Sequence, residues 1–273
     1  MNSLIIATAT AKQAVRQPFF LVLVALGAAW LLVSTVISFF TFGEDIKVYK
    51  DLGLATISVL GLLLALLTAS TSVAEEIEGK TAVTLLSKPI NRRQFIFGKY
   101  LGIMMGVLAL FVILGALFAG GVWFKFDYDL REGAQRALGS SDKIKQVLQI
   151  LPGLTLGFLE VSILAAISVA ISTRLPMLVN FVVCTAIFLL GHMTPILVAK
   201  SDEAGANELV KFMAKLFEWA LPSLEFFNAG PSISTGVMIP WLGYVLPALG
   251  YAVLYSGAAL LFAFLLFENR DVA

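Results

Sequence analysis

Apolar residues along this chain gather into six long runs, Phe19–Phe42, Leu52–Ala74, Tyr100–Phe124, Val147–Ser172, Leu175–Ala199 and Trp241–Phe267. A helix rises about 1.5 Å per residue, so about 20 apolar residues cross the hydrocarbon of a bilayer. Each run reaches that length, and the pattern predicts six transmembrane helices with both ends of the chain on one side. Of the 19 Lys+Arg and 18 Asp+Glu, only Glu160 falls inside a run. Hydrocarbon enforces this segregation, because a charge at the membrane centre costs several kcal/mol. The chain reads as an all-α integral membrane protein, with residues 1–273 forming a single transmembrane domain.

The flanks carry a different periodicity. Leu4, Ala7, Ala11 and Val15 recur at helical spacing, while Thr8, Lys12 and Arg16 occupy another face. Residues 1–17 therefore predict an amphipathic helix lying along the membrane surface; a frayed leader without a role is the alternative. Pro18 permits a change of direction into the first span. That span is longer than the core of a secretory signal and lacks a small-residue cleavage site, so no cleaved leader is expected. Within 200–240, Leu209, Phe212, Met213, Leu216 and Ala220 lie opposite Glu208, Lys211, Lys215 and Glu218, which predicts an outer amphipathic helix before the last span.

Composition agrees with this picture and removes several functions. Hydrophobic content is 59%, above the roughly 45–50% of soluble domains. A net charge of +1 without basic clustering argues against a nucleic-acid partner. The single cysteine, Cys184, supports no disulfide, zinc or haem site, and hydrolase and metal-binding signatures are missing, so neither catalysis nor a metal is expected. Gly79-Lys80-Thr81 imitates the end of a phosphate-binding loop. The required earlier glycine is Ala74, however, and Glu75, Glu76 and Glu78 would repel phosphate, so this chain is expected to bind no nucleotide or other cofactor.

The most informative segment joins the second and third spans. It opens with Glu75-Glu76-Ile77-Glu78-Gly79-Lys80-Thr81, continues through Val83 to Leu85-Leu86-Ser87-Lys88-Pro89-Ile90-Asn91-Arg92-Arg93-Gln94-Phe95, and closes with Gly98-Lys99-Tyr100. Three carboxylates at a helix C-terminus oppose its dipole, at about 0.3–1 kcal/mol each, so cations here or on a partner must offset them. Gly79 can stop the second helix and Pro89 ends a short helix over Thr81–Ser87. Asn91 and Gln94 have capping-box spacing, which starts the third helix there. A stiff turn–helix–turn held by two spans can transmit a push into the bilayer; a solvated charged turn is the plainer reading. Basic residues divide almost evenly between the two sides of the membrane, and charge alone leaves orientation open.

This segment resembles the cytoplasmic loop of the type-2 permeases of ATP-binding-cassette (ABC) transporters, with Lys80 inserted between Gly79 and Thr81 as a small departure. The resemblance implies a coupling helix in 75–99 that docks on an ABC ATPase subunit through Glu75, Glu76, Glu78, Thr81, Val83, Leu85, Leu86, Ser87, Pro89, Arg92 and Arg93. It further implies cytoplasmic termini in the cytoplasmic (inner) membrane, ATP and Mg on the ATPase, a second permease protomer, identical or paralogous, and export by alternating access. Leu221-Pro222-Ser223-Leu224 resembles the family's turn before the final span, where a lid or re-entrant helix forms; a surface-lying helix is the alternative.

Two polar residues sit inside the runs. Glu160 lies near the bilayer midplane, and His192 lies on the next, antiparallel span. They can pair with one another or line a substrate path. Alternatively, Glu160 is protonated and bonded to a carbonyl or serine, with His192 a structural polar. A proton-coupled secondary transporter using Glu160 and a non-transporting assembly factor are the rival functions. Gly102 and Gly106, Gly61 with Ala65 and Ala69, and Gly243, Gly250 and Gly257 place small residues on single helix faces, expected to pack the core and, secondarily, to meet a second protomer. Tyr244 and Tyr251 beside the last stripe can hydrogen-bond across helices.

Overall fold

The structure is a computed structural model that describes residues 2–36, 45–74, 91–131, 140–201 and 207–268. Helix α1 covers Asn2–Arg16 and α2 Pro18–Val36. Pro18 occupies the first turn of α2, where its missing N–H has no helical partner to lose. Helix α3 runs Asp45–Ala69 and continues as a π-helical turn, Ser70–Ala74. Helix α4, Arg92–Arg131, is 40 residues long. Then follow α5 (Ser140–Leu148), α6 (Ile150–Ser172), α7 (Met177–Ser201) and α8 (Glu208–Ala220). A 3-10 turn, Leu224–Phe227, and a short α9, Gly230–Ser234, precede a π turn, Trp241–Val245, and α10, Leu246–Glu268. No strand occurs among the described residues.

Six segments are long and apolar enough to cross a membrane: Pro18–Val36, Asp45–Ser72, Arg93–Asp127, Lys143–Ser172, Met177–Ser201 and Trp241–Phe267. They match the six apolar runs, but α3 and α4 begin seven or eight residues before theirs. Hydrophobicity marks only the part of a helix that hydrocarbon touches, whereas backbone hydrogen bonding continues through the polar turns at Asp45–Asp51 and Arg92–Lys99. The start of α4 follows a local rule: Phe95 N donates to Asn91 O (3.1 Å) and Asn91 N to Gln94 Oε1 (3.4 Å), one half of the capping box. Residues 37–42, the end of the first apolar run, lie outside the described residues.

Helix α6 is the axis of the bundle. Leu156, Ile163, Leu164, Ala165 and Val169 are buried on several sides of it, packed by α3, α4 and α10. Helices α7 and α10 turn large apolar side chains outward, Leu178 and Leu254 among them, as expected for surfaces that meet lipid or another protein.

Small residues set the tightest contact, between α1 and α4. A Cβ on Gly102 would lie 2.6 Å from Ala7 O and 2.5 Å from Thr10 Cβ, and one on Gly106 would lie 3.0 Å from Ala14 Cβ. The face of α1 that meets protein is therefore Ala7, Thr10 and Ala14, which shares only Ala7 with the stripe of the periodicity, and Leu4 and Val15 are exposed. Gly61 accepts Phe111 in the same way, 2.4 Å from a Cβ. The last stripe behaves differently. Among the described residues only Pro240 approaches Gly243, at 3.4 Å, and nothing lies within 4 Å at Gly250 or Gly257. These three glycines do not pack the core of this chain; their face of α10 points away from the bundle. Helix α8 is capped by Asn207 Oδ1, which accepts from Leu209 N (3.1 Å). It buries only Ala214, and Leu209, Phe212 and Leu216 of its apolar face are exposed, as is Trp219 at 90%.

Candidate functional site

Two buried polar clusters interrupt the apolar bundle. The first lies where α3 gives way to its π turn, next to the ends of α6 and α7. Asn180 Nδ2 donates to Ser70 Oγ (2.8 Å), Ser168 Oγ (2.8 Å) and Ser172 Oγ (2.9 Å). Two protons serve three acceptors, so one bond is shared. Cys184 Sγ donates to Asn180 Oδ1 (3.3 Å), and Ser172 Oγ donates onward to Ser168 O (2.7 Å). One amide thus rivets α3, α6 and α7 together just before residues 75–90.

Of the residues expected to couple to an ATPase, Glu75, Glu76, Glu78, Thr81, Val83, Leu85, Leu86, Ser87 and Pro89 lie outside the described residues. Arg92 begins α4, and Arg93 is exposed on its first turn.

The second cluster lies toward the other end of the bundle. The chain after α8 folds back among the helices: Leu224, Phe227 and Ile233 are buried, and Gly191 of α7 leaves room for Leu224 and for Pro222 O. Gly191 is about ten residues from the end of α7, so this segment reaches about 15 Å down that helix. Two tyrosines of the last span hold it. Tyr244 Oη donates to Phe226 O (2.8 Å), and Ser223 N donates to Tyr251 Oη (3.1 Å). The segment thus folds back between α7 and the last span.

Beneath it is a cavity of about 180 Å³ lined by Asp51 and Ser58 of α3, Gly153, Gly157 and Glu160 of α6, Phe188 and His192 of α7, and Phe227 to Gly230 of the turn. Glycines make the space. A Cβ on Gly157 would lie 2.3 Å from Ser58 Oγ, and one on Gly230 would lie 2.3 Å from Asp51 Oδ1. Asn228 Nδ2 donates to Glu225 Oε1 (3.1 Å), which leaves the amide oxygen of Asn228 on the Gly230 side.

Glu160 is 5% exposed, and its Oε1 lies 3.5 Å from His192 Nε2. That separation meets an ion-pair limit, yet Oε1 has no hydrogen-bond partner. His192 Nδ1 lies 3.1 Å from Phe188 O. A carbonyl only accepts, so Nδ1 carries a proton, and Nε2 is a lone pair unless the ring is cationic. Contact between the two residues is favourable either as carboxylate with imidazolium or as carboxylic acid with imidazole. In both states the pair holds one further proton and is neutral overall. Two larger grooves, of about 520 and 480 Å³, carry no charged group.

Asp51, Asn180 and Asn228 take part in these clusters and were not expected from the sequence. Asn180 had a signal, an amide inside an apolar run with serines at helical spacing on its neighbours. Asp51 and Asn228 had none, because only the fold brings them to Glu160.

A family model described as ABC-2 family transporter protein matches residues 4–272 of the chain. No curated protein matches it.

Proposed function

Because the chain belongs to the ABC-2 transporter family, whose members are transport subunits of the membrane and not themselves enzymes, we propose that it forms the membrane-spanning half of an exporter driven by a separate ABC ATPase. In this reading ATP and Mg are held by the ATPase, residues 75–99 are its docking loop, and both termini face the cytoplasm across the inner membrane. The 200–240 segment then faces outward, and a second permease, identical or paralogous, completes the path. The observation that carries the proposal is the extent of the family match, which runs from the first helix to the end of the last.

The helix ends support a mechanical route. Residues 75–90 are held between the π turn of α3 and the capped start of α4. A π turn is a rare interruption of a helix, found often at functional sites. At its first residue, Ser70, the Asn180 bonds tie the turn to α6 and α7. A displacement delivered by an ATPase is therefore passed to three helices together, and α6 leads directly to the Glu160 cavity. Closure of the ATPase dimer would tilt these helices and alternate access to the path.

Co-purification with the cognate ATPase tests this reading. Reversing charge with Arg92→Glu and Arg93→Glu should lower capture about tenfold or more and abolish permease-dependent ATP hydrolysis, while the variant keeps its own thermal midpoint. Normal capture by the reversed protein would remove the proposed docking loop. A non-transporting anchor would capture the ATPase but show hydrolysis indifferent to every added solute.

A further inference from the structure

The cavity around Glu160 deepens this reading and rests on it: the geometry points to a binding site for a small organic ammonium group carried by the transported molecule. Charge is the first ground. Asp51 and Glu160 line the cavity, and among the described residues no Lys or Arg does. Glu225 on the 3-10 turn is within electrostatic reach of Glu160. An anion would meet the Asp51 carboxylate there, with Glu225 nearby, beside a Glu160–His192 pair that carries no net charge. Glu160 lines this space, and its Oε1, directed at His192, is buried without a hydrogen bond. The amide oxygen of Asn228 adds a further acceptor.

Size and wall chemistry narrow the cation. An apolar cavity of about 150 Å³ holds benzene, so about 180 Å³ accommodates a trimethylammonium head group. Leu54, Val59, Phe188 and Phe227 supply aliphatic and aromatic surface. Such walls suit alkylated nitrogen, which aromatic faces attract. Among the described residues no group of three or more His, Cys, Asp or Glu is placed to hold a metal.

The Glu160–His192 pair makes binding an exchange. An ammonium seated on Glu160 takes the place of the proton that the pair shares, which leaves to solvent as the carboxylate engages the cation. The titratable groups facing the site are Asp51 from α3, Glu160 from α6, His192 from α7 and Glu225 from the turn, with Tyr244 behind it; α9 contributes none. Proton and ammonium compete, so binding weakens as pH is lowered.

The test is calorimetric titration of the purified full chain in nanodiscs, without ATPase, using choline and its neutral isostere in which carbon replaces nitrogen. Choline should bind saturably, with the isostere about tenfold weaker or worse. Glu160→Gln and Asp51→Asn should each cost a similar factor. Equal binding of the isostere to the unmodified protein overturns the site however the variants fold, as does full binding by both variants. With the ATPase present, choline should raise ATP hydrolysis, and binding without stimulation overturns its role as cargo. Failure to capture the ATPase at all would instead contradict the exporter reading, and the titrations on the permease alone would still decide the site.

Discussion

The two buried polar clusters of this bundle are built from similar materials and do opposite things. Around Asn180, an amide and three serine hydroxyls are neutral, come from three helices, and meet at hydrogen-bond distance. Around Glu160, the groups are ionisable, glycines hold space open between them, and a carboxylate oxygen remains unpartnered. A satisfied neutral network in a low-dielectric interior rigidifies what it joins. An unsatisfied carboxylate destabilises the fold until a ligand or proton completes it. A closed network and an open cavity are thus separated along the axis of α6, with the rivet at its Ser168–Ser172 end and the cavity toward the opposite end.

That contrast predicts mutations of opposite sign. Asn180→Leu should destabilise the most, by about 2 kcal/mol, from three lost bonds of the strength measured between membrane helices plus stranded hydroxyls. Detergent-unfolding midpoints would show it, and a change below a few tenths would mean that the rivet carries no load. Glu160→Gln should go the other way, raising stability by about 1 kcal/mol because a neutral amide replaces a buried ionisable group of the same shape. A large loss of stability there would mean that Glu160 is structural. Gly157→Ala should change stability by about 0.5 kcal/mol or less, since the Ser58 hydroxyl can rotate away, while narrowing the cavity and weakening choline binding several-fold. Gly250→Ala should be neutral in the isolated chain, where nothing lies near that position.

The six spans could be read from the chain because hydrocarbon imposes its demand on every residue it touches. The Asn91 cap could be read because it depends on neighbours three and four residues away. Other features depend on partners distant in sequence. Which face of α1 is buried is decided by the glycines of α4, so small Ala7 and Ala14 turn inward and Leu4 outward. A glycine stripe shows that a helix has a flat face but not whether anything approaches it, and Gly102 and Gly250 differ only in that. Asp51 and Asn228 converge on the cavity from segments that share no local pattern. Glu160 and His192 stood out as polar interruptions of apolar runs, and the antiparallel run of α6 and α7 brings them 3.5 Å apart. The site residues between Glu75 and Pro89 belong to the undescribed segment.

Every step of the proposed mechanism requires residues 75–90 to face the cytoplasm and α8 to face outward. Single cysteines at Gly79 and Trp219, introduced one at a time in a Cys184→Ser background, can be labelled with a membrane-impermeant maleimide in intact cells and in inverted vesicles. The account predicts that Trp219→Cys reacts in intact cells and Gly79→Cys only in inverted vesicles. Labelling of Gly79→Cys from outside intact cells would place the loop beyond the reach of any cytoplasmic ATPase and contradict the account.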